Sequence, residues 1–553
     1  MPSRASLKQR LGRYRQIGHV LARHGFGVIL QRTHLARWLH LPASSTDFSA
    51  QTAPFRVRQM LEELGPTFVK LGQILSTRPD LIPFPYLQEL EKLQDQVSPI
   101  PGEKIQQVVE EELKGSLSKF FLSFDLKPLA SGSIAQVHLA RLPDNSPVAL
   151  KVRKPGIEAL IETDLQILLD LAGLIARFIK EAEVYQPVHM VQEFARSIRK
   201  ELDLSLEGRR MERFRKNFAG EERIIAPCVY QEFTTTKLLT MSWIDGVKIT
   251  RVKELEEMGI NRRQLARSGA RATLKQIFVD GFFHADPHPG NLFVTREGKI
   301  CYLDFGITGH LDQQRMSSLV FLLQGLVRRD ADRIVRGLIS LHAVEEQVDV
   351  SGLKREIEEM LEFYYDLPLK EIKLRPMLES IFTLMRNFRV RIPADLSLLA
   401  KALMTTEGVG TLLDPEFNLM SEIEPVVGEI VKKHMSLSAL MKGAEKNLTE
   451  FYFLAREVPS SLESFLRHLR KGALNLTFEH EGLEELTSSV DKASNRIAFS
   501  LIIAALLVAS ALIVVSGKGH LILGYPSLGV LGFFFAAIMG IWLLIGILRA
   551  GKL

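Results

Sequence analysis

The densest run of polar, chemistry-bearing residues is His284-Ala-Asp286-Pro-His288-Pro-Gly290-Asn291, followed by Leu303-Asp304-Phe305-Gly306. One aspartate precedes an asparagine by five positions, and a second aspartate follows on the next strand-like stretch. Phosphoryl transfer from ATP needs such a set. A carboxylate must stand near the acceptor, and an amide and a carboxylate must hold Mg2+ against the β- and γ-phosphates. Asp-x4-Asn followed by Asp-Phe-Gly is the protein-kinase order. Each piece alone is weak, since Asp-Pro and Pro-Gly suit any turn. In order, and between strand-like segments, they assign Asp286 to the acceptor side and Asn291 and Asp304 to Mg2+.

Upstream, Val148-Ala149-Leu150-Lys151 places a lysine on the second strand of a hairpin. In a kinase fold that lysine holds the α- and β-phosphates and pairs with a glutamate on a following helix. Apolar neighbours on both sides of Lys151 argue against a solvated strand face. Glu201, Asp203 and Glu207 are the candidate partners, on a helix expected over residues 191–214; on one helix, Asp203 and Glu207 would share a face. The turn before Lys151 contains Ala130-Ser131-Gly132-Ser133, where backbone N–H groups could close over phosphates. One glycine among small residues is a poor nucleotide signature by itself. Met241-Ser-Trp243-Ile-Asp245-Gly246 stands where an adenine-binding hinge would lie, a reading by position that a strand ending in a turn explains equally well.

These residues need a scaffold. Hydrophobic periodicity predicts helices over 55–75, 103–113 and, more briefly, 117–124. The period then changes to that of strands at 135–141 and 147–152, joined by the turn Asp144-Asn145-Ser146. Helices follow at 157–179 and 191–214, and short strands at 228–233 and 237–243. From 251 the pattern is mostly helical to about 486, broken by a strand pair around 291–303. The expected class is α+β, a small β-rich lobe and a large helical lobe with a cleft between. The division is a basic N-terminal segment (1–50), a helical extension (51–125), an N-lobe (126–245), a helical C-lobe (246–485) and a C-terminal hairpin (490–553).

The chain has 553 residues, 46% hydrophobic and 24% charged, a globular balance that excludes wholesale disorder. The net charge of +6 is unevenly spread. No acidic residue occurs from Met1 to Thr46, while Arg4, Lys8, Arg10, Arg13, Arg15, Arg23, Arg32 and Arg37 are basic. A solvated tail and an anionic lipid surface compete as explanations. Cys228 and Cys301 form neither a metal-ligand spacing nor a disulfide framework, which fits a reduced, cytoplasm-facing protein. Arg and His interrupt Leu7–Leu30, which argues against a cleaved secretory signal. Near the C-terminus, 497–516 and 528–548 are uncharged and long enough to cross a bilayer. Lys492, Arg496, Arg549 and Lys552 flank them, against Lys518 and His520 in the loop, so both ends are expected in the cytoplasm.

On these residues the chain resembles the UbiB family of atypical kinase-like proteins, linked to ubiquinone biosynthesis, over roughly 55–418 plus the hairpin. Phe68-Val-Lys70-Leu-Gly72-Gln73, continuing through Ser76-Thr77-Arg78-Pro79-Asp80-Leu81, is similar to the family's Lys-x-Gly-Gln signature. Glu201-Leu-Asp203 is similar to its Glu-x-Asp motif, which makes Glu207 the lysine's partner. The 284–291 run matches its catalytic loop. Asp395 to Lys401, with Glu407-Gly408 and Leu413-Asp414-Pro415, resembles its C-lobe signature.

The resemblance implies ATP and Mg2+ as cofactors and an ATPase or small-molecule kinase that supports quinone synthesis at the inner membrane. It implies that the helix of Lys70 and Gln73 lies over the cleft, with Lys70 approaching Glu201 and Asp203, an arrangement that disfavours phosphorylation of proteins in trans. The implied partners are anionic lipids, quinone precursors and quinone-biosynthesis proteins, with no nucleic acid; Gly529, Gly532 and Gly540 leave room for close helix packing, including a homodimer. The other reading is a nucleotide-gated, non-catalytic scaffold for a quinone-biosynthesis complex. Two departures from the family stand out: the nucleotide loop has Gly132 where the family's loop is alanine-rich, and Leu204 stands where the family has a tyrosine after Glu-x-Asp. Against a conventional protein or antibiotic kinase, the catalytic loop carries His288 two positions after Asp286, where such a kinase usually has a basic residue.

Overall fold

The computed structural model describes residues 7–26, 52–79, 81–93, 97–179, 186–328, 330–341, 348–363, 371, 373–388, 390, 392–423, 425–426, 483–517, 521–522 and 525–549. Asp80, Arg4, Arg32, Arg37, Lys518, His520, Lys552 and all of 427–482 lie outside them. The chain forms two units, 1–441 and 442–553.

In the first unit an N-terminal helix, Leu7–Arg23, precedes the extension. Its Ile17 and Val20 are buried against Leu61, Leu64 and Phe68. Arg13 reaches the fully buried Asp164 at 2.7 Å and 2.9 Å, and Thr67 donates to the same carboxylate at 2.7 Å. The acid-free segment is therefore partly a docked helix. The single helix expected over 55–75 is two, Ala53–Leu64 and Pro66–Leu75. Pro66 has no N–H and disfavours helical backbone in the residue before it, and Gly65 takes φ +94°.

The N-lobe sheet is antiparallel, with strands Ser123–Phe124, Ala135–Arg141, Pro147–Arg153 and Leu238–Ser242 in that order, and Ala130–Ser131 also paired to the second. The central hairpin turns at Asn145 (φ +67°), a residue type that tolerates the left-handed region. One face of Pro147–Arg153 carries Val148, Leu150 and Val152 into a core with Ile105, Val109, Phe121 and Leu238. Because side chains alternate along a strand, Ala149 and Lys151 face the other way. Of the expected elements here, 117–124 is a 3-10 turn (Leu117–Lys119) followed by the edge strand, and 228–233 is one bridge, Val229 to Met241, plus a 3-10 turn. Leu117 and Phe121 of the first stretch and Val229 of the second are buried in the core, so their apolar pattern reflects burial more than strand pairing.

Helices Ile157–Phe178, Pro187–Glu201 and Leu204–Asn217 follow. The helix expected over 191–214 breaks at Leu202-Asp203. Asp203 is extended (ψ 93°) and caps the new helix, accepting from Ser205 N–H at 3.0 Å and Ser205 Oγ at 2.6 Å. A short polar side chain bonding to nearby backbone competes with helix continuation.

The C-lobe holds Leu292–Thr295 paired with Ile300–Tyr302, joined by Ile224–Ile225 and Gly246–Lys248. A further pair, Phe282–His284 with Thr308–His310, was not legible in the sequence. Helices Arg262–Phe278 and Ala394–Leu413 pack beside these strands through Ala270, Leu274, Ala402 and Leu403.

The second unit is a helical hairpin, Leu483–Ser516 and Ser527–Arg549. Ser494–Ser516 and Ser527–Leu544 are each long and apolar enough to cross a membrane. Most of their apolar side chains point outward, Leu501 and Leu528 among them. Gly529 and Gly532 serve packing within this hairpin, since an added Cβ at Gly532 would lie 2.0 Å from Ser510 Oγ; Gly540 has open space.

Candidate active site

Lys151 lies in the cleft with its Nζ 2.6 Å from Glu207 and 3.5 Å from Asp304. The pairing follows from the helix break. The new helix Leu204–Asn217 starts at the Asp203 cap and aims Glu207 at the strand lysine. The same helix face does two more jobs. Arg210, one turn on, donates to Gly306 O at 2.7 Å and Phe305 O at 3.3 Å, fixing the backbone of the Asp-Phe-Gly turn. Phe214 offers its ring to the fully buried Phe305, 5.1 Å between centroids. Glu207, Arg210 and Phe214 recur at helical spacing, so a single rigid element sets the lysine, the turn and the buried phenylalanine together.

Asp304 sits at φ +53°, a sparsely populated conformation that aspartate tolerates. Its Oδ1 accepts from Gly306 N–H at 3.1 Å. The side chain is 47% exposed toward the cleft. Dense protein behind it works against ionisation, but Lys151 and then Lys70 outweigh that and hold the carboxyl well below the usual range. Burial works against the charge on Lys151 too, but Asp304 and Glu207 keep it protonated. Glu207 is raised, first by burial.

Asp286 and Asn291 come from the loop after Phe282–His284. His284 is buried and braces this loop from both sides. Its Nδ1 accepts from Asp286 N–H at 3.2 Å, and its Nε2 lies 3.1 Å from Leu303 O. That pattern assigns the neutral Nε2–H tautomer, and burial lowers the ring's pKa in the same sense. Leu303 N–H donates to Asn291 O at 2.9 Å, which ties this loop to the strand leading into Asp304. Asp286 is lowered despite burial, because Lys401 stands 3.1 Å from its Oδ1. Lys401 entered the sequence reading only as the end of the C-lobe signature, with no role assigned. The signal was a lone cation in Leu398-Leu399-Ala400-Lys401-Ala402-Leu403.

Lys70 forms an ion pair with Glu201, with 7% and 17% of the two side chains exposed. Asp203 Oδ1 is engaged in the helix cap, accepting from Ser205. Gln73 donates to Leu93 O at 3.3 Å, holding the extension together. Gly72 is explained by packing: an added Cβ would meet Leu93 Cδ1 at 2.3 Å and Leu61 Cδ1 at 2.8 Å. The extension also crosses between lobes, with Arg78 3.3 Å from Glu193 and Arg386 donating to Pro79 O and Ile82 O at 2.7 Å and 3.1 Å.

The loop Ala130 to Ser133 is a tight hairpin end, closed by Gly132 N–H to Ala135 O at 2.9 Å. Ser133 is buried, and the buried Ser131 Oγ has no partner among the described residues. Val97 N–H reaches Ser131 O at 3.2 Å, and Gln136 bridges Ile100 N–H and O at 2.5 Å and 3.2 Å, so the extension's last stretch lies along this loop. Met241 is buried in the core behind the cleft, paired with Ala149, and Trp243 is 40% exposed beyond the strand's end.

No cluster of three or more His, Cys, Asp or Glu suited to a metal occurs among the described residues. Mg2+ needs less from the protein, because it keeps several waters and takes phosphate oxygens. One ionised carboxylate facing the cleft and one amide on a neighbouring loop, Asp304 and Asn291, fit that demand.

A strand lysine paired with a helix glutamate, a loop aspartate and an Asp-Phe-Gly turn on one cleft define an atypical kinase-like protein. The ABC1 atypical kinase-like domain matches residues 92–338, the UbiB helical domain 357–418 and the ABC1/UbiB kinase-like C-terminal domain 481–549. A probable protein kinase UbiB of Xanthomonas campestris is 34% identical over 90% of this chain and 92% of its own. One from Marinobacter nauticus is 36% identical over 75% and 77%. An uncharacterized protein in the hydrogenase 1 5'region of Clostridium pasteurianum is 33% identical over 98% and 99%. Among solved structures, Rv3197 of Mycobacterium tuberculosis, in complex with erythromycin, is 24% identical over 65% of this chain and 92% of that one, with a TM-score of 0.46. The chain belongs to the UbiB family of atypical kinase-like proteins.

Proposed function

We propose that this protein binds Mg-ATP at a membrane surface and transfers the γ-phosphoryl group to water or a small, lipid-phase acceptor in support of ubiquinone biosynthesis. The observation that carries the reading is Lys151 held between Glu207 and Asp304, with Asp286 and Asn291 on the loop braced by His284. Bound Mg2+ would supply charge neutralisation between the β- and γ-phosphates. Lys151 would hold the α- and β-phosphates, Asp304 and Asn291 the metal, and Asp286 would receive the acceptor's proton. The Lys70–Glu201 pair beside this site favours a small acceptor over a protein. The two apolar helices, with basic residues on their flanks, support an inner-membrane hairpin with the kinase-like unit in the cytoplasm.

The same ion pair favours a second reading, a scaffold gated by nucleotide in which turnover is incidental. Mg-ATP turnover by the full chain in lipid nanodiscs, with and without anionic lipid and a quinone-precursor phenol, separates the two. Turnover that rises with lipid or phenol and vanishes in Asp304→Asn supports the enzyme. Tight Mg-ATP binding with no turnover under any condition overturns it in favour of the scaffold.

A further inference from the structure

The catalytic loop has a vacancy in its chemistry. Two positions after Asp286 stands His288, and that ring is turned back on its own loop, its Nδ1 accepting from Gly290 N–H at 3.1 Å. A cation nevertheless reaches Asp286, from a distant element. Lys401 projects from the middle of the Ala394–Leu413 helix, where Leu399, Ala400, Ala402 and Leu403 are buried. Its side chain is 12% exposed, and its Nζ lies 3.1 Å from Asp286 Oδ1.

We propose that Lys401 is the positioning residue for Asp286, supplying from the helical lobe the cation that the catalytic loop lacks. The inference rests on the ATP-consuming reading. A methionine or leucine would fill this helix position without the desolvation cost of an ammonium group. The contact made for that cost is with the carboxylate on the acceptor side. Asp286 is thus held at both ends, its backbone N–H by His284 Nδ1 and its Oδ1 by Lys401. During transfer the acceptor oxygen bonds to the γ-phosphorus as the bond from that phosphorus to the β–γ bridging oxygen breaks. The electron pair leaves with ADP, and the acceptor's proton passes to the Asp286 carboxylate. Lys401 fixes the direction from which that carboxylate takes the proton.

The experiment uses the full chain in lipid nanodiscs, with Lys401→Met, Lys401→Gln, Lys401→Arg, Asp286→Asn and the Lys401→Met/Asp286→Asn double variant. Steady-state Mg-ATP turnover is read alongside the melting shift given by Mg-ATP. Lys401→Met and Lys401→Gln are expected to lose about 100-fold in kcat, the scale of a positioned acid–base group, with KM for ATP moving less than about three-fold. Lys401→Arg should recover at least about a tenth of the wild-type rate, since the charge and a donor remain. The double variant should be no slower than Asp286→Asn alone, because the two residues act as one unit.

Lys401→Gln, which keeps the side chain polar, carries the test if Lys401→Met does not fold. Wild-type kcat in either neutral variant overturns the proposal and leaves the ATP reading standing. So does a rise in KM with kcat kept, or losses that multiply in the double variant. Absence of Mg-ATP turnover in the wild type overturns the ATP reading, and the proposal with it.

Discussion

Lys70 and Glu201 form an ion pair that joins the helical extension to the end of the Pro187–Glu201 helix on the Asp304 side of the cleft. A Cβ placed on Gly306 would lie 3.8 Å from Glu201 Oε1. The extension is therefore part of the site's wall. Both partners are largely buried, so removing one takes from the other an opposite charge in a poorly solvated place. Lys70→Met is expected to lower stability by about 2 kcal/mol, and Lys70→Met/Glu201→Gln to recover part of that loss, a coupling that a double-mutant cycle by denaturant melting reads directly. Additive losses would show that the pair is incidental.

Lys151 and Glu207 make a second prediction, on activity. Glu207→Gln keeps the shape and leaves Lys151 with Asp304 as its remaining close carboxylate. The lysine would then be held by Asp304, the residue proposed to hold Mg2+, without its shorter contact to Glu207. Turnover of Mg-ATP should fall by about 100-fold or more, as when one aligned electrostatic contact to a transition state is lost. A Glu207→Gln protein with wild-type turnover would remove Glu207 from the machinery.

The helix Leu7–Arg23 is held by a buried charge. Asp164 is fully buried, and Arg13 is its cation. Arg13→Leu leaves a carboxylate with Thr67 alone among these partners, and the expected cost is about 3–5 kcal/mol. Arg13→Leu/Asp164→Leu should restore much of it. Thermal melts of the three variants check the ordering.

His284 makes stability pH-dependent. Burial lowers its pKa in the folded chain below the ordinary value near 6.5, so the unfolded chain binds the proton more tightly. Its stabilising contribution is fully present above about pH 6.5 and is lost as the pH falls through the folded pKa. Protonated Nδ1 would also face Asp286 N–H, which it now accepts from. Between pH 7 and pH 5, without added metal, the wild type should lose stability more steeply than His284→Gln. Parallel slopes would contradict this.

The chemistry-bearing residues were legible because they are local. Asp286, Asn291 and Asp304 stand within one stretch of the chain, and strand alternation around Lys151 needs only its neighbours. The central strands and the long helices followed from the same short-range period. Two failures have one cause, local backbone preference overriding a good helical pattern. Gly65-Pro66 splits one helix, and Asp203 caps a second where a continuous helix would have placed it beside Glu207. The contacts of Lys401 and Arg210 were not legible for the opposite reason. Their partners, Asp286 and the backbone of Phe305 and Gly306, lie far off in sequence, and a lone cation in a helix ordinarily faces water. The Phe282–His284 strand was hidden because three residues carry too little pattern to separate from a loop.

The most direct test of the central claim is Mg-ATP turnover by the full chain in nanodiscs, wild type against Asp304→Asn, with Mg-ATP binding followed by melting shift in the same samples. The predicted result is turnover in the wild type and none in Asp304→Asn. Equal turnover in the two proteins, or none in a wild type that binds Mg-ATP, would contradict it.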